Sequence, residues 1–340
     1  MYLKISTQTG DKPSAYELQE KGRQFIAADT FPALAELLNI KEETLRAKMY
    51  NRKYTQFFVP KPNGEKRLIE NPEDWLKSLQ GQLNKHFQAA YYMVRPPCAY
   101  GALLAVADEV KPRNIYTNAL RHIGQKWLLN VDIRRFFPSI SYEKVYMTLR
   151  RPPFSFNPNA AKCLSMLTTF EQRLPTGAPT SPILSNIICL PLDSMLLQLS
   201  KKHGWAYTRF IDDLSFSGEN KFKKKHLRAI QGILLSQGFL INEKKLKINR
   251  VRDKPEVTGL ILKKKKPDIS PSFLKRLKKY IHLYHIMTEQ DMLNRQLFPA
   301  ELIQRYRSFI NGQLAFIKFI RGEGDKDYLR LFKRFQPRGY

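Results

Sequence analysis

Two adjacent aspartates, Asp212 and Asp213, stand at the end of an apolar run and constrain the fold of this chain more than any other feature. The run before them, 207–211, is rich in aromatic and β-branched residues, and apolar and polar residues alternate in 214–217. This pattern predicts two strands joined by a tight acidic turn. Neighbouring carboxylates repel each other, so the turn needs a compensating partner. A divalent cation is suitable, because Mg²⁺ prefers carboxylate and phosphate oxygens.

A third carboxylate, Asp132, follows the apolar segment Trp127–Val131, which is typical of another strand. Simpler interpretations exist, since an Asp-Asp pair often forms a solvated turn and Asp132 could cap the next helix. Three acids at strand ends in a strongly basic chain instead favour a two-metal phosphoryl-transfer site. We therefore predict that Asp132, Asp212 and Asp213 are catalytic and bind two Mg²⁺ ions.

The charge balance of the chain indicates a polyanionic partner. Among 340 residues, 58 Lys and Arg face 30 Asp and Glu, a formal net charge of +28, and nucleic acid is the commonest partner of such a chain. A membrane surface is the rival, but polar residues interrupt the most apolar stretch, 183–199. The first ten residues lack the apolar core of a signal peptide, and three widely spaced cysteines fit a reducing compartment. We expect a cytoplasmic protein without a membrane segment.

The order of the predicted elements mixes hairpins with helices. Residues 56–69 predict a hairpin that turns at Lys61-Pro62-Asn63-Gly64. Beyond the lysine run 263–266 we expect only helices. Apolar residues at helical spacing mark helices at 30–50 starting at Thr30, 75–87, from about 141, 183–192, 223–235, from 270, and roughly 299–320. This order predicts an α+β fold with an antiparallel, palm-like sheet.

From about residue 30 into the C-terminal helices, the chain resembles prokaryotic reverse transcriptases, most closely those of retrons. Phe210-Ile211-Asp212-Asp213 resembles the aromatic-x-Asp-Asp box of that family. Four further segments of this chain resemble the other sequence boxes of the family. They are Asp132 with Phe136-Phe137 and Ser139-Ile140, Leu174–Pro182 with Ser185-Asn186, the fingers hairpin 57–69, and Gly238-Phe239 with Asn242 and Lys245. Two segments depart from the family pattern. Thr176 stands where many relatives carry Gln, and Ile211 replaces a small Ala.

Two short elements are similar to those of retrons. These are Asn118 and His122 in an Asn-Ala-x-x-His segment, and Val257-Thr258-Gly259, associated with recognition of the retron RNA. Taken alone, His122 could be a core histidine and Gly259 a turn residue. We predict that both elements bind RNA. We also expect a basic helix face to grip the duplex rather than only to be solvated, with Lys275, Arg276, Lys278 and Lys279 as its contacts.

The resemblance implies a right-hand polymerase fold with fingers, an antiparallel-sheet palm and a helical thumb. The implied segments are an N-terminal extension (1–29), fingers with part of the palm (30–125), palm with an inserted fingers segment (126–262) and thumb (263–340). It also implies roles at the site. The backbone carbonyl of Ile133 is expected as a metal ligand, and Phe137 as a steric gate against ribonucleotides. The implied nucleotide contacts are Lys61, Arg67, Thr176, Gly177 and Lys245, the last aiding the leaving group.

The implied function is RNA-directed DNA synthesis with dNTPs as substrates. A retron enzyme primes from a 2′-hydroxyl of its own structured non-coding RNA, and the short DNA product (msDNA) stays linked to RNA. The resemblance further implies anti-phage defence with an effector protein encoded nearby. Two alternatives stay open. One is a group II intron-type reverse transcriptase, which usually adds a maturase and DNA-binding extension. The other is a non-catalytic RNA-binding protein.

Overall fold

The computed structural model describes residues 12–60, 64–294 and 298–336. The helices in these ranges are α1 (Ala15–Ala27), α2 (Phe31–Leu37), α3 (Glu42–Tyr50), α4 (Asp74–Val94), α5 (Ile115–Leu120), α6 (Tyr142–Leu149), α7 (Pro158–Thr168), α8 (Ser181–Ile188), α9 (Leu190–His203), α10 (Lys224–Ser236), α11 (Pro271–Asn294), α12 (Ala300–Arg321) and α13 (Lys326–Phe335). The strands are β1 (Tyr54–Pro60), β2 (Lys66–Pro72), β3 (Trp127–Asp132), β4 (Ala206–Phe210), β5 (Asp213–Gly218), β6 (Lys247–Arg250), β7 (Glu256–Val257), β8 (Leu260–Leu262) and β9 (Pro267–Ile269).

The palm sheet has four antiparallel strands in the order β4-β5-β3-β6. The predicted hairpin around the two aspartates is confirmed, with Phe210 of β4 opposite Asp213 of β5. Strand β3 pairs with β5 so that Asp132 lies opposite Asp213. The sheet register therefore brings all the predicted acids to one end of the palm.

The main core covers this sheet with helices. The apolar side predicted for 183–192 is buried as expected. Ile183 and Leu184 of α8 and Leu192 of α9 are almost fully buried in the main core. Helix α1 also packs into this core along α4. Phe25 is fully buried there, and a side chain at Gly22 would meet the backbone of Ala89 at 2.8 Å. Helix α1 therefore contributes Phe25 to the main core.

One predicted helix is divided. The apolar spacing over 30–50 predicts a single helix, but the structure has α2, capped by Thr30, and then α3. Asn39 adopts a φ of +54°, a left-handed conformation that ends α2. The apolar spacing survives this break because both helices bury residues against the same core, including Leu34 and Leu45.

The C-terminal region forms a second core. It unites α5, the sheet β7-β8-β9 and helices α11 to α13, with Leu260, Ile281 and Leu314 at its centre. The expectation of only helices after residue 266 is wrong, because β9 pairs with β8. Asp268 of β9 accepts hydrogen bonds from Lys263 and from Arg321 of α12, and these contacts tie the sheet to the helices.

By length and composition, no single helix in the described ranges is a candidate membrane span. Helices α8 and α9 pass that test only as a pair, bent by 51° at their junction. Most side chains of α8 are buried in the main core.

Candidate active site

The predicted acids meet at the end of the palm sheet. Asp132 is buried, Asp212 is half-buried and Asp213 is exposed at the mouth of the site. The backbone N–H of Ile133 donates to the carbonyl oxygen of Asp212 over 3.0 Å, which joins the end of β3 to the acidic turn. Sheet pairing therefore fixes three carboxylates from distant parts of the chain in one place.

The carboxylate of Asp132 is already paired. Its Oδ1 accepts a hydrogen bond from Nδ2 of Asn242 at 2.8 Å, and its Oδ2 accepts one from Nζ of Lys245 at 2.6 Å. Partial burial works against the charge of Lys245, but the hydrogen bond to Asp132 and the charges of the three aspartates raise the lysine pKa. Lys245 is thus held at the site as a cation, which a role at a leaving phosphate requires.

The other two acids, Asp212 and Asp213, both have raised pKa values. Burial and the charge of Asp132 raise the pKa of Asp212, while Lys245 and Arg67 lower it. Although Asp213 opens to solvent, the protein around its other sides and the charges of Asp212 and Asp132 raise its pKa to about 7. A divalent cation would relieve this repulsion, and hard carboxylate oxygens are the donors that Mg²⁺ prefers.

The donor set fits Mg²⁺, but its present arrangement is not a finished metal site. Within the described residues, no group of three or more His, Cys, Asp or Glu side chains is arranged to hold a metal ion. Both oxygens of Asp132 are hydrogen-bonded to Asn242 and Lys245 in this conformation. A metal ion at Asp132 would therefore share these oxygens with Asn242 and Lys245 or displace the lysine.

The fingers hairpin is bonded to the turn-rich segment predicted to line the nucleotide pocket. Glu70 of β2 is buried and accepts two hydrogen bonds from Arg173, at 2.7 and 2.8 Å, and one from the backbone N–H of Thr176 at 3.0 Å. Gly177 adopts a φ of +131°, and a side chain there would meet the carbonyl oxygen of Glu70 at 2.9 Å. Thr176 and Gly177 are thereby held against β2.

Of the remaining predicted nucleotide contacts, Arg67 and Phe137 lie in the described residues. Arg67 of β2 is close enough for its charge to lower the pKa of Asp212. Phe137 is half-buried and its ring centroid lies 5.6 Å from that of Phe136, which is buried in the core as expected. Lys61 lies outside the described residues.

The structure places His122, a predicted RNA contact, inside the protein. His122 is fully buried, and its ring nitrogens lie 2.8 Å from the hydroxyls of Ser217 and Thr208 on β5 and β4. Burial and the charge of Arg121 lower the pKa of His122 to about 3, so the ring is neutral. A neutral, enclosed side chain cannot contact RNA, and we revise its role to support of the palm sheet.

The other retron-like residues lie together beside this histidine. The side chain of Asn118 is buried, with its Nδ2 3.4 Å from the Thr258 hydroxyl, and Val257 is buried too. These two residues are therefore also revised from RNA contacts to supports. Thr258 is half-buried and Gly259 is exposed, both with positive φ, so the turn between β7 and β8 is what a partner can reach.

The basic face of α11 lies as predicted. Leu277 and Ile281 are buried in the second core, as the inward face requires. The four basic residues predicted to contact a duplex are exposed, except for half-buried Lys278; they are Lys275, Arg276, Lys278 and Lys279.

The sequence interpretation missed a buried network beneath the acidic turn. Arg209 of β4 is 0% exposed, and its guanidinium donates to Asp193, Asn186 and the carbonyl oxygen of Ile211. Gly101 packs directly under Ile211. A signal was present, because an arginine inside an apolar strand and an aspartate inside an apolar helix both need buried partners.

Comparison with known proteins agrees with this geometry. Residues 59–262 match the family described as reverse transcriptase (RNA-dependent DNA polymerase). The chain is 30% identical over 309 residues to the retron Mx65 reverse transcriptase of Myxococcus xanthus, across 85% of this chain and 65% of that protein. It is 32% identical over 254 residues to the retron Ec86 reverse transcriptase of Escherichia coli, across 73% of this chain and 76% of that protein.

A solved structure, that of apo telomerase from Candida tropicalis truncated from its C-terminal domain, superposes with a TM-score of 0.45. It is 14% identical across 66% of this chain and 55% of that chain. The family assignment rests on the sequence matches.

The chain belongs to the reverse transcriptase family of RNA-dependent DNA polymerases and, within it, to the retron reverse transcriptases. This membership, together with the antiparallel palm sheet, confirms the predicted α+β right-hand polymerase fold. The chain spans slightly less than two thirds of the Mx65 protein. The division into segments at residues 29, 125 and 262 stays a prediction, and the sheet β7-β8-β9 crosses the last of these boundaries.

Proposed function

We propose that this chain copies part of its own structured non-coding RNA into a short DNA, using dNTPs, and that this msDNA stays linked to RNA. The observation that carries the proposal is the meeting of Asp132, Asp212 and Asp213 at one end of the palm, beside Lys245 and Arg67. Three acids and two cations at one surface suit the binding of a metal-bound triphosphate.

The acids would hold two Mg²⁺ ions, with Asp132 and Asp212 as principal ligands, Asp213 assisting and the carbonyl of Ile133 as a further ligand. When bound, Mg²⁺ supplies Lewis-acid chemistry at the reacting hydroxyl and phosphate. The chain's own residues have other tasks. Arg67, with Lys61, would clamp the triphosphate by charge-assisted hydrogen bonds.

Two side chains would act on the nucleotide itself. Lys245, held as a cation, would stabilise the negative charge that develops on the leaving pyrophosphate. Phe137 would exclude the ribose 2′-hydroxyl by steric contact. Thr176 and Gly177 would line the nucleotide pocket, where the Glu70 carboxylate holds the backbone N–H of Thr176.

Primer extension with Mg²⁺, dNTPs and an RNA template tests the catalytic assignment. We expect Asp132→Asn and Asp212→Asn each to abolish DNA synthesis while RNA binding, measured by filter retention, stays near the wild-type level. Asp253→Asn is the matched control, since it removes one exposed carboxylate that is not among the three predicted metal ligands. Wild-type synthesis by either active-site variant would contradict the assignment.

Sequencing the nucleic acid that copurifies with the protein tests the retron assignment. A retron enzyme is expected to carry a short DNA branched from RNA, whereas intron RNA without such a branch would favour the group II alternative. RNA binding without DNA synthesis on any template would favour a non-catalytic RNA-binding protein. The cytoplasmic location is proposed from the polar first ten residues and the widely spaced cysteines, and the role with an effector protein in anti-phage defence from family resemblance.

A further inference from the structure

A fully buried ion pair lies directly beneath the acidic turn. Nε and Nη2 of Arg209 donate to the two oxygens of Asp193 at 2.8 and 2.7 Å, and neither side chain is exposed to solvent. The hydroxyl of Tyr207 also donates to Asp193, at 2.9 Å. A bidentate pair of this kind fixes the plane of the guanidinium.

The third guanidinium nitrogen reaches the turn itself. Nη1 of Arg209 donates to Oδ1 of Asn186 at 2.7 Å and to the carbonyl oxygen of Ile211 at 3.2 Å. Ile211 directly precedes Asp212. The arginine thus joins helices α8 and α9 to the peptide from which the acids project.

The turn that Arg209 holds is strained. Ile211 adopts a φ of +61°, a left-handed conformation that is costly for a β-branched residue and persists only when its surroundings enforce it. Gly101 allows a close approach from below, because a side chain there would meet the backbone nitrogen of Ile211 at 2.8 Å. The strained residue is therefore held between Gly101 and Arg209.

The arginine is itself immobilised by its backbone. Its N–H donates to the carbonyl of Cys98 at 2.7 Å, and its carbonyl accepts from the N–H of Tyr100 at 2.9 Å. Nδ2 of Asn186 donates to the carbonyl of Gly101 at 2.9 Å and closes the network. The position of the acids therefore depends on segment 98–101 and on α8 and α9 as well as on strand pairing.

We propose that Arg209 is a positioning residue that, fixed by Asp193 and Asn186, holds the Ile211 peptide and so sets the placement of Asp212 and Asp213 relative to Asp132. The inference rests on the proposed polymerase function. It assigns to a buried network the task of keeping two mutually repelling carboxylates where they can bind metal.

The deciding variant is Arg209→Met combined with Asp193→Leu. Replacing a whole buried ion pair by apolar residues of similar size often preserves stability, whereas removing one partner leaves a buried charge. We expect a melting temperature within a few degrees of wild type. We expect kcat to fall about 10²-fold, the loss that a misplacement of about 1 Å can cause, with the KM for dNTP changed less than about threefold.

Mg²⁺ alone provides a readout without catalysis. Titrated into thermal unfolding experiments, it should stabilise the wild-type protein, and the double variant should need about tenfold more Mg²⁺ for half of that stabilisation. Tyr207→Phe is the matched control. It removes a hydrogen bond to Asp193 but none to the turn, so its kcat should stay within about threefold of wild type.

Wild-type kcat and Mg²⁺ response in the folded double variant would overturn the inference. Should that variant not fold, Arg209→Lys decides. A lysine can pair with Asp193 but cannot also hold Asn186 and the Ile211 carbonyl, so kcat should fall at least about tenfold, and wild-type kcat would refute the role. Failure of the proposed function is a different result, because the unmodified protein would then make no DNA.

Discussion

The cluster of three carboxylates predicts that replacing Asp213 by Asn stabilises the metal-free protein. The pKa of Asp213 is raised from 3.8 to about 7, chiefly by its enclosure and by the charges of Asp212 and Asp132. At about 1.4 kcal/mol per pH unit, this difference corresponds to about 4 kcal/mol. Asp213 is exposed, so solvent screening reduces the expected effect to about 1–2 kcal/mol, or about 2 °C in melting temperature for a chain of this length.

The pH dependence of this effect has a definite sign. Because the pKa of Asp213 is higher in the folded than in the unfolded protein, folding favours its protonated form. Its contribution to stability is fully present below about pH 4 and is lost as the pH rises through about 7. The gain in unfolding free energy from Asp213→Asn should therefore be largest near pH 8, become smaller towards pH 5 and disappear near pH 4.

Urea unfolding in EDTA at pH 5 and pH 8 measures this difference. Asp253→Asn is the control, since it removes the same charge at an exposed position and reports the general effect of making a chain of formal net charge +28 more basic. We expect that control to show no gain. An Asp213→Asn protein that is no more stable than wild type at pH 8, or equally favoured at pH 5, would refute the repulsive cluster.

Three further predictions concern the surroundings of the acids. Gly101→Ala should cost about 1–3 kcal/mol in thermal unfolding and lower kcat, because the new methyl group would lie 2.8 Å from the Ile211 nitrogen; unchanged values would contradict this contact. Glu70→Gln should raise the KM for dNTP about tenfold, which is about 1.4 kcal/mol, because the buried carboxylate holds Thr176. An unaltered KM in steady-state primer extension would argue against this role of Glu70. Phe137→Ala should increase ribonucleotide incorporation at least about tenfold by removing a steric clash, and equal discrimination in competition assays would exclude the gate.

The local elements of the palm could be predicted from sequence because their signals are local. The alternation around Asp212 and Asp213 and the apolar run before Asp132 each specify a strand within a few residues. The pairing of β4 with β5 followed once the turn was recognised, whereas the pairing of β3 with β5 is seen only in the structure. Strand β9 was missed because three residues carry too little periodicity, and its place depends on β8 and on Arg321 of α12.

The contacts that complete the site connect residues far apart in the chain. Lys245 and Asp132 are separated by 113 positions and Asn242 and Asp132 by 110, so no pattern in the sequence indicates that they bond. The same limit explains His122. The resemblance of its segment to a retron element implied a contact with RNA, whereas its partners on β4 and β5, 86 and 95 positions away, place it inside the protein.

A crystal structure of the protein with Mn²⁺ tests the central claim most directly, because anomalous scattering locates this substitute for Mg²⁺. We predict anomalous peaks bounded by Asp132, Asp212 and Asp213. Protein that synthesises DNA in Mn²⁺ and yet binds no ion at these three carboxylates would contradict the account.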